Sequence, residues 1–343
     1  MTNDRRLPAE WEYDGPIMLA WPHAETDWAY MLDEVAECYT ELVKALTEEK
    51  QVIIVAPDIS VPKAALSLLP QDKIFYFECQ TNDTWTRDYG PICVEDDRRF
   101  AAIDYKFNGW GLKFASAYDN MVTLRMFGKG LLSGKRINRL SFVLEGGSID
   151  SDGTGCVITT SECLMSANRN GSLTRAEIES ELKKQLGAER LVWIDHGALA
   201  GDDTDSHVDT LVRFSRSGAL LYAGCENPKD SNYEELQAMK RQLHELSASG
   251  QLPDHLLELP SPDPIFDEDG QQLPATYANF LATRERVYMP TYGQPQNDEL
   301  AAKILEVAFG TPVRKVDCRA LIRQHGSLHC ATMQLPASLV SFI

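Results

Sequence analysis

The chain has 343 residues, 43% hydrophobic and 24% charged, with a formal net charge of −18. This is ordinary globular composition with material for a large core, and the length allows roughly one to three domains. The acidity, without any basic patch, excludes the electrostatic footprint of a nucleic-acid binder, and no apolar run reaches the length of a membrane span.

Residues 1–16 read as an irregular lead-in with Pro8, Gly15 and Pro16, and no apolar signal segment follows Met1. Ile17 to Trp21 is a short buried strand stopped by Pro22. The stretch 27–49 is helical, because Ala29, Leu32, Val35, Ala36, Tyr39, Leu42, Val43 and Leu46 recur at helical spacing. Strands are expected at 51–55 and 74–77, with a short helix near 61–69 between them. A polar loop at 80–90 precedes strands near 91–94 and 100–105. The segment 106–120 reads as loop and 121–132 as helix. Strands follow at 141–144 and 156–160.

Thr174 and Glu177 form a capping-box pattern that opens a helix over 174–186. A strand at 192–194 comes next, then a hairpin of 208–214 and 219–223. Helix 231–248 is long and amphipathic. The Pro-, Asp- and Gly-rich stretch 252–274 reads as loop. Strands at 276–282 and 286–289, helix 297–309 and strand 313–316 complete the chain up to a Gly/Ser/His-rich approach to Cys330. Strand–helix–strand units recur and no low-complexity linker interrupts them. The expectation is an α/β fold and a single catalytic domain over residues 1–343.

Eight cysteines occur: Cys38, Cys79, Cys93, Cys156, Cys163, Cys225, Cys318 and Cys330. None stands in a C-x-x-C pair and no His/Cys spacing marks a zinc site. Reduced thiols and a cytoplasmic protein are expected.

Three loops carry more polar functionality than a connection requires. The first, Thr81 to Pro91, holds Asp83, Trp85, Arg87 and Asp88. It reads either as a solvated turn anchored by Trp85 or as a cation site, where a carboxylate pairs with the ion and an indole stacks on it. In the second, a strand runs into Glu145-Gly146-Gly147-Ser148, a tight turn or a place of close backbone approach. The third, Gly201 to Val212, brings His207 and Asp209 two residues apart at the mouth of an expected strand, so that imidazole and carboxylate would project together. A solvated acidic loop and a divalent-metal site are the other readings of that loop; EF-hand spacing and an H-E-x-x-H pattern are both missing. Read together, Cys330 offers a nucleophile, a histidine an acid/base, and the paired acids a cradle for a cationic electrophile.

These blocks, in this order, resemble the agmatine deiminase / bacterial-type (Porphyromonas-type) peptidylarginine deiminase family of guanidine-modifying enzymes. The carriers are Trp21-Pro22, Asn82 through Pro91, Phe107-Asn108-Gly109-Trp110-Gly111, Glu145-Gly146-Gly147-Ser148, Asn168-Arg169-Asn170, Asp203 through Asp209, and His329-Cys330. The resemblance implies the pentein fold, an α/β propeller of five ββαβ-type modules with pseudo-fivefold symmetry, and no metal or organic cofactor. It implies Cys330 as nucleophile, His207 as acid/base, Asp88 and Asp209 as holders of the guanidinium, and Glu145 as a further acid. Trp85, Asn108 and Trp110 are implied on the substrate side. The expected partner is a small cationic guanidino substrate, not nucleic acid or membrane, and a homodimer is left open.

Two departures bear on the substrate. Ser206 stands where agmatine-specific enzymes usually have Gly, and His325-Gly326-Ser327-Leu328 replaces a Gly-Gly-Asn run. Both are expected to line the site mouth. Agmatine hydrolysis to N-carbamoylputrescine and ammonia leads; a peptidyl-arginine or other guanidino substrate is the alternative. Amidino transfer would need a second acceptor site. A Cys-His peptidase would use an oxyanion hole rather than paired acids. A non-catalytic polyamine binder is opposed by the intact Cys330, His207, Asp88 and Asp209.

Overall fold

In a computed structural model, which describes residues 5–341, the described strands gather into five sheets. In one, Ile17–Ala20, Val52–Ala56 and Ile74–Glu78 lie parallel with Val52–Ala56 in the middle. All five residues of Val52–Ala56 are buried. A parallel strand covered on both faces needs such a continuous apolar run, which is why it does not alternate. Helix Leu32–Thr47 packs beside it and buries Val35, Tyr39, Leu42, Val43 and Leu46, the stripe its spacing defines. Truncating one such residue, Leu42→Ala, is expected to cost about 2–5 kcal/mol. Met333–Gln334, just beyond Cys330, completes the sheet antiparallel to Ile17–Ala20.

The connection in that sheet is an antiparallel pair, a helix, then a strand parallel to the pair's second member. The other four sheets repeat it. Ile92–Asp96 and Arg99–Lys106 pair antiparallel, and Lys135–Val143 returns parallel after helix Val122–Gly128. Ile149–Ser151 and Cys156–Thr160 are followed by helix Arg175–Leu186 and strand Arg190–Ile194. Val212–Phe214 and Leu220–Ala223 lead through helix Tyr233–Ala248 to Leu256–Leu259. Leu281–Ala282 and Val287–Thr291 lead through helix Pro295–Phe309 to Val313–Asp317. The capping box forms as expected: Glu177 N–H donates to Thr174 Oγ1, and Thr174 N–H donates to the Glu177 carboxylate.

Several local expectations differ from the structure; the strand expected at 276–282 is formed only at Leu281–Ala282. Leu256–Leu259 is a strand inside the stretch read as loop, because pairing with Leu220–Ala223 outweighs its Pro- and Asp-rich flanks. Val208–Thr210 is a 3-10 turn, not strand. The lead-in is ordered from Arg5: Arg5–Arg6 adds an edge strand whose guanidinium groups pair with Asp96 and Glu95. The turn Glu10–Glu12 buries Glu10. Residues 1–4 of the expected lead-in lie outside the described residues. Among the described residues no helix is long and apolar enough to cross a membrane.

Candidate active site

In every sheet the first strand of the antiparallel pair is short, and a loop runs into it. The loop before Ile92–Asp96 carries Asp88, and the one before Ile149–Ser151 carries Glu145. His207 and Asp209 precede Val212–Phe214, Asn279 precedes Leu281–Ala282, and Cys330 precedes Met333–Gln334. These five approaches converge.

Cys330 is 5% exposed. Its Sγ lies 3.8 Å from Asp209 Oδ2 and accepts a hydrogen bond from Asn279 Nδ2 at 3.2 Å. The Cys330 N–H donates to Asn279 Oδ1 at 3.3 Å. Its carbonyl accepts from Arg87 N–H, and Thr86 Oγ1 donates to the carbonyl of Ala331. The thiol is thus fixed from two sides. Burial, then the Asp209 and Asp88 carboxylates, push its pKa well above the ordinary thiol value.

Asp88 sits in the helical turn Thr86–Tyr89. Its Oδ2 accepts from Trp110 Nε1 at 2.9 Å and its Oδ1 from Gly147 N–H at 3.0 Å. Burial and the nearby Asp209 still raise its pKa well above the usual range. Asp209 is equally buried, yet its pKa is lowered: burial pushes it up, but the His329 hydrogen bond and charge outweigh that. His329 Nδ1 stands 2.6 Å from Asp209 Oδ2.

His207 is completely buried, with Nδ1 3.6 Å from Asp88 Oδ1. Neither ring nitrogen has a hydrogen-bond partner among the described residues. Desolvation drops its pKa to about 3, so the ring is neutral. His207 and Asp209 do not share a strand face. His207 caps the turn that contains Asp209, and the turn brings them to the same place by a different geometry.

Glycine at 147 and 326 is dictated by crowding. A Cβ on Gly147 would lie 2.7 Å from His207 Nδ1 and 2.8 Å from Asp88 Oδ1. A Cβ on Gly326 would lie 2.5 Å from the Trp85 ring.

Glu145 has both oxygens on Arg169 Nε, at 2.8 and 3.1 Å. Arg169 also reaches Asp205 and the Thr204 carbonyl, so it ties the Glu145 loop to the His207 loop. Glu145, Cys163 and His207 each place a possible metal-ligand atom within 4.8 Å of the others. The Arg169 guanidinium already supplies the positive charge to that carboxylate, so the set offers no free anionic ligand for a cation.

The narrow cleft above Cys330 is walled by Trp85, Asp88, Trp110, Phe114, His325 and Gly326, with Asp27, Asp83 and Asp203 also on its lining. Trp85 packs on Trp28 at 5.7 Å, and Trp110 is held edge-on by Phe107 and Phe114. Asn108 does not line this cleft. Its side chain accepts from Gly111 N–H and donates to the Asn168 carbonyl, shaping the loop that carries Trp110. Burial pushes Asp83 up to about 7; burial and Asp202 push Asp203 up to about 6.

Of the two sequence departures, only one meets the cleft. Ser206 turns its hydroxyl to Glu162, and its φ of +60° follows +63° at Asp205. A glycine would adopt that backbone without strain. Here the Ser206 N–H is compensated by Asp202. His325 does line the cleft, with Nδ1 2.6 Å from the Gly201 carbonyl.

Sequence reasoning missed Asn279 and Glu10, and gave no role to His329 although it stands in the His329-Cys330 block. Asn279 is a lone amide in the apolar run Tyr277-Ala278-Asn279-Phe280, just before a short strand, the position Cys330 and Asp88 also occupy. That shared position was its only signal.

Residues 6–336 match the Porphyromonas-type peptidyl-arginine deiminase family. The chain is 30% identical to an agmatine deiminase of Medicago truncatula, over 96% of each chain. It is similar to the structure of C. jejuni agmatine deiminase with substrate bound, at 37% identity and a TM-score of 0.89, covering 96% of this chain and 95% of that one. For agmatine deiminase of Enterococcus faecalis the identity is 27% and the TM-score 0.86, over 98% and 96%.

Proposed function

The chain belongs to the Porphyromonas-type peptidyl-arginine deiminase family, and from that premise we propose that it hydrolyses agmatine to N-carbamoylputrescine and ammonia through a covalent thiouronium on Cys330. The reaction class is hydrolysis of a guanidino C–N bond. One observation carries the reading. Next to Cys330 Sγ stands Asp209, whose Oδ1 is buried and unpaired, and beside Asp88 stands neutral His207, whose ring nitrogens are buried and unpaired too. Buried polar atoms without partners are costly, and a planar cation bearing N–H groups satisfies them.

A guanidinium is a poor electrophile because its charge is spread over three nitrogens. Asp88 and Asp209 fix its plane and draw charge to the nitrogens, exposing the carbon. In the resting site thiol and imidazole are both neutral. The arriving cation favours the thiolate, and the thiol proton passes to His207 as sulfur attacks the carbon. The tetrahedral adduct takes that proton back on one nitrogen and expels ammonia. His207 then removes a proton from water, which attacks the thiouronium carbon and releases the ureido product and Cys330. Trp85 and Trp110 wall the substrate, and Glu145 with Arg169 backs the His207 loop.

Agmatine is favoured over an arginine substrate by the mouth of the cleft. Asp27, Asp83 and Asp203 line it, and they suit a second cation, the amine of agmatine, better than a carboxylate. The five sheets with one repeated connection support the pentein reading, five ββαβ modules about a pseudo-fivefold axis. An apolar cluster drawing residues from Leu7 to Leu339 supports one catalytic domain. The eight unpaired thiols support a reducing, cytoplasmic setting. Ammonia release from agmatine, arginine, methylated arginines and arginyl peptides tests the assignment. Agmatine should give the highest kcat/KM; a preference for arginyl peptides would transfer the role to the alternative.

A further inference from the structure

On the core side of Cys330, His329 stands between two carboxylates. Its Nδ1 is 2.6 Å from Asp209 Oδ2 and its Nε2 3.2 Å from Glu10 Oε2. Carboxylate oxygens accept hydrogen bonds, so Nδ1 carries a proton toward Asp209; Nε2 meets both the Glu10 carboxylate and, at 3.3 Å, the Arg213 Nη2 donor, and a proton on Nε2 answers the nearer of the two. The base of the side chain is pinned as well. The His329 N–H donates to the carbonyl of Asn279 at 3.1 Å and to its Oδ1 at 3.0 Å. Glu10 is held in turn by Arg213 and by the Ala282 N–H at 3.1 Å. The ring can neither swing nor slide.

The effect falls on Asp209. Its Oδ2 is engaged, while Oδ1 is buried without a partner. Asp88 differs, since neutral donors, Trp110 and Gly147, meet both its oxygens. Stability alone does not call for such a chain of buried ions, because well-packed apolar residues commonly serve as well. Its place beside the reacting sulfur points to function.

We propose that His329 is a positioning residue: braced by Glu10, it engages Oδ2 of Asp209 and so fixes that carboxylate's rotamer and negative charge, leaving Oδ1 for a guanidinium N–H. This rests on the guanidinium reading of the cleft. The clamp then has one acid held by a histidine on its far oxygen, Asp209, and one met only by neutral donors, Asp88. The lead-in around Glu10 becomes part of the catalytic apparatus at one remove.

The test compares three substitutions in the full chain: His329→Leu, His329→Asn and His329→Gln. The Asn amide can stand where Nδ1 does and donate to Asp209, whereas the Gln amide reaches the place of Nε2. With agmatine, His329→Leu should lower kcat/KM about 10- to 100-fold, the size of one hydrogen bond to a charged group. His329→Asn should recover most of it and His329→Gln should not, at matched melting temperatures. In an Asp209→Asn background the Leu substitution should have little further effect. Equal activity of the Asn and Gln variants, or full additivity with Asp209→Asn, would overturn the proposal. If the Leu variant does not fold, the Asn and Gln pair decides alone. Nitrogen-15 NMR of the wild-type ring separates this idea from the functional reading. Two ring N–H signals at His329 support the arrangement even if no guanidine is hydrolysed, and one signal overturns it even if agmatine is.

Discussion

Cys330 divides two buried polar regions that differ in how they are satisfied. On the core side, Glu10, Asp150, Arg213 and His329 answer one another: Arg213 pairs with Glu10 and with Asp150, and also donates to the carbonyls of Ala278 and Phe280. Arg87 adds a further ion pair, 3.8 Å from Glu10. Glu10 accordingly has its pKa lowered to about 2, its burial outweighed by Arg213, His329 and Arg87. On the reacting side of Cys330, the His207 ring nitrogens and Asp209 Oδ1 are equally buried but lack such answers. Burial therefore does not tell a structural polar cluster from a catalytic one. Unanswered acceptors beside the reacting sulfur do, because a cationic substrate can complete them; Arg87 Nη2 on the core side is unanswered as well, but it is a donor next to the Glu10 carboxylate.

The largest expected effect breaks the cleft side alone. Cys330→Ser should reduce ammonia release by about ten-thousand-fold or more, as loss of a covalent nucleophile does, with an unchanged melting temperature. Wild-type-like turnover from that variant would remove the thiouronium mechanism. The matching break on the core side is Arg213→Met. It strips Asp150 of its ion-pair partner and Glu10 of the nearest of its three, and should cost about 3–5 kcal/mol in denaturant unfolding. A loss well under 1 kcal/mol, the scale of a surface pair, would show that the core side is not the tightly paired region described here.

Asp88→Asn sharpens the comparison by separating activity from stability. The amide cannot draw charge from the substrate, so kcat/KM should fall about 100- to 1,000-fold with both KM and kcat affected. The folded pKa of Asp88 lies above its unfolded value. Its stabilising contribution is present below the unfolded value and is lost as pH rises, so at neutral pH the buried acid is a burden. The amide cannot titrate but turns its NH2 toward one of the two donors, so the melting temperature of the variant relative to wild type should rise as pH rises toward 7. An unchanged kcat/KM would make Asp88 structural. Asn279→Ala is expected to be milder. It removes the donor to Cys330 Sγ and should lower kcat about 10- to 100-fold with little change in KM; a pure KM effect would place Asn279 on substrate binding instead.

Much of this was legible before any coordinates, for a physical reason. Strands such as Val52–Ala56 and helices such as Leu32–Thr47 carry their own periodicity, and Thr174 with Glu177 marks a helix start locally. Leu256–Leu259 carries no such mark, because only its partner Leu220–Ala223 makes it a strand. The site divides the same way. Asp88, Glu145, His207, Asp209 and Cys330 stand out as polar groups crowded into loops with glycine. Glu10 and Asn279 are single polar residues in unremarkable surroundings, and His329 stands beside the cysteine with nothing in its neighbours to give it a role; their meaning comes from contacts 272, 51 and 120 residues apart. The His207-x-Asp209 pair was found by a strand argument, but it is a 3-10 turn that brings the two groups together.

The smallest expected effect concerns His207 and reads the difference between the two regions directly. Its folded pKa of about 3 lies below the ordinary histidine value of 6.5, because burial disfavours the imidazolium. The sign follows: stability from keeping the ring neutral is complete above the unfolded value and drains away as pH falls from 6.5 toward 3, where the unfolded chain takes up a proton the folded one refuses. His207→Gln cannot titrate. Its unfolding free energy should therefore fall less steeply with acid across that window, by about one proton in the slope. Parallel curves for variant and wild type would mean that His207 already holds its proton in the resting site. It would then belong with the paired ions of the core side, and the first proton transfer from Cys330 would need another acceptor.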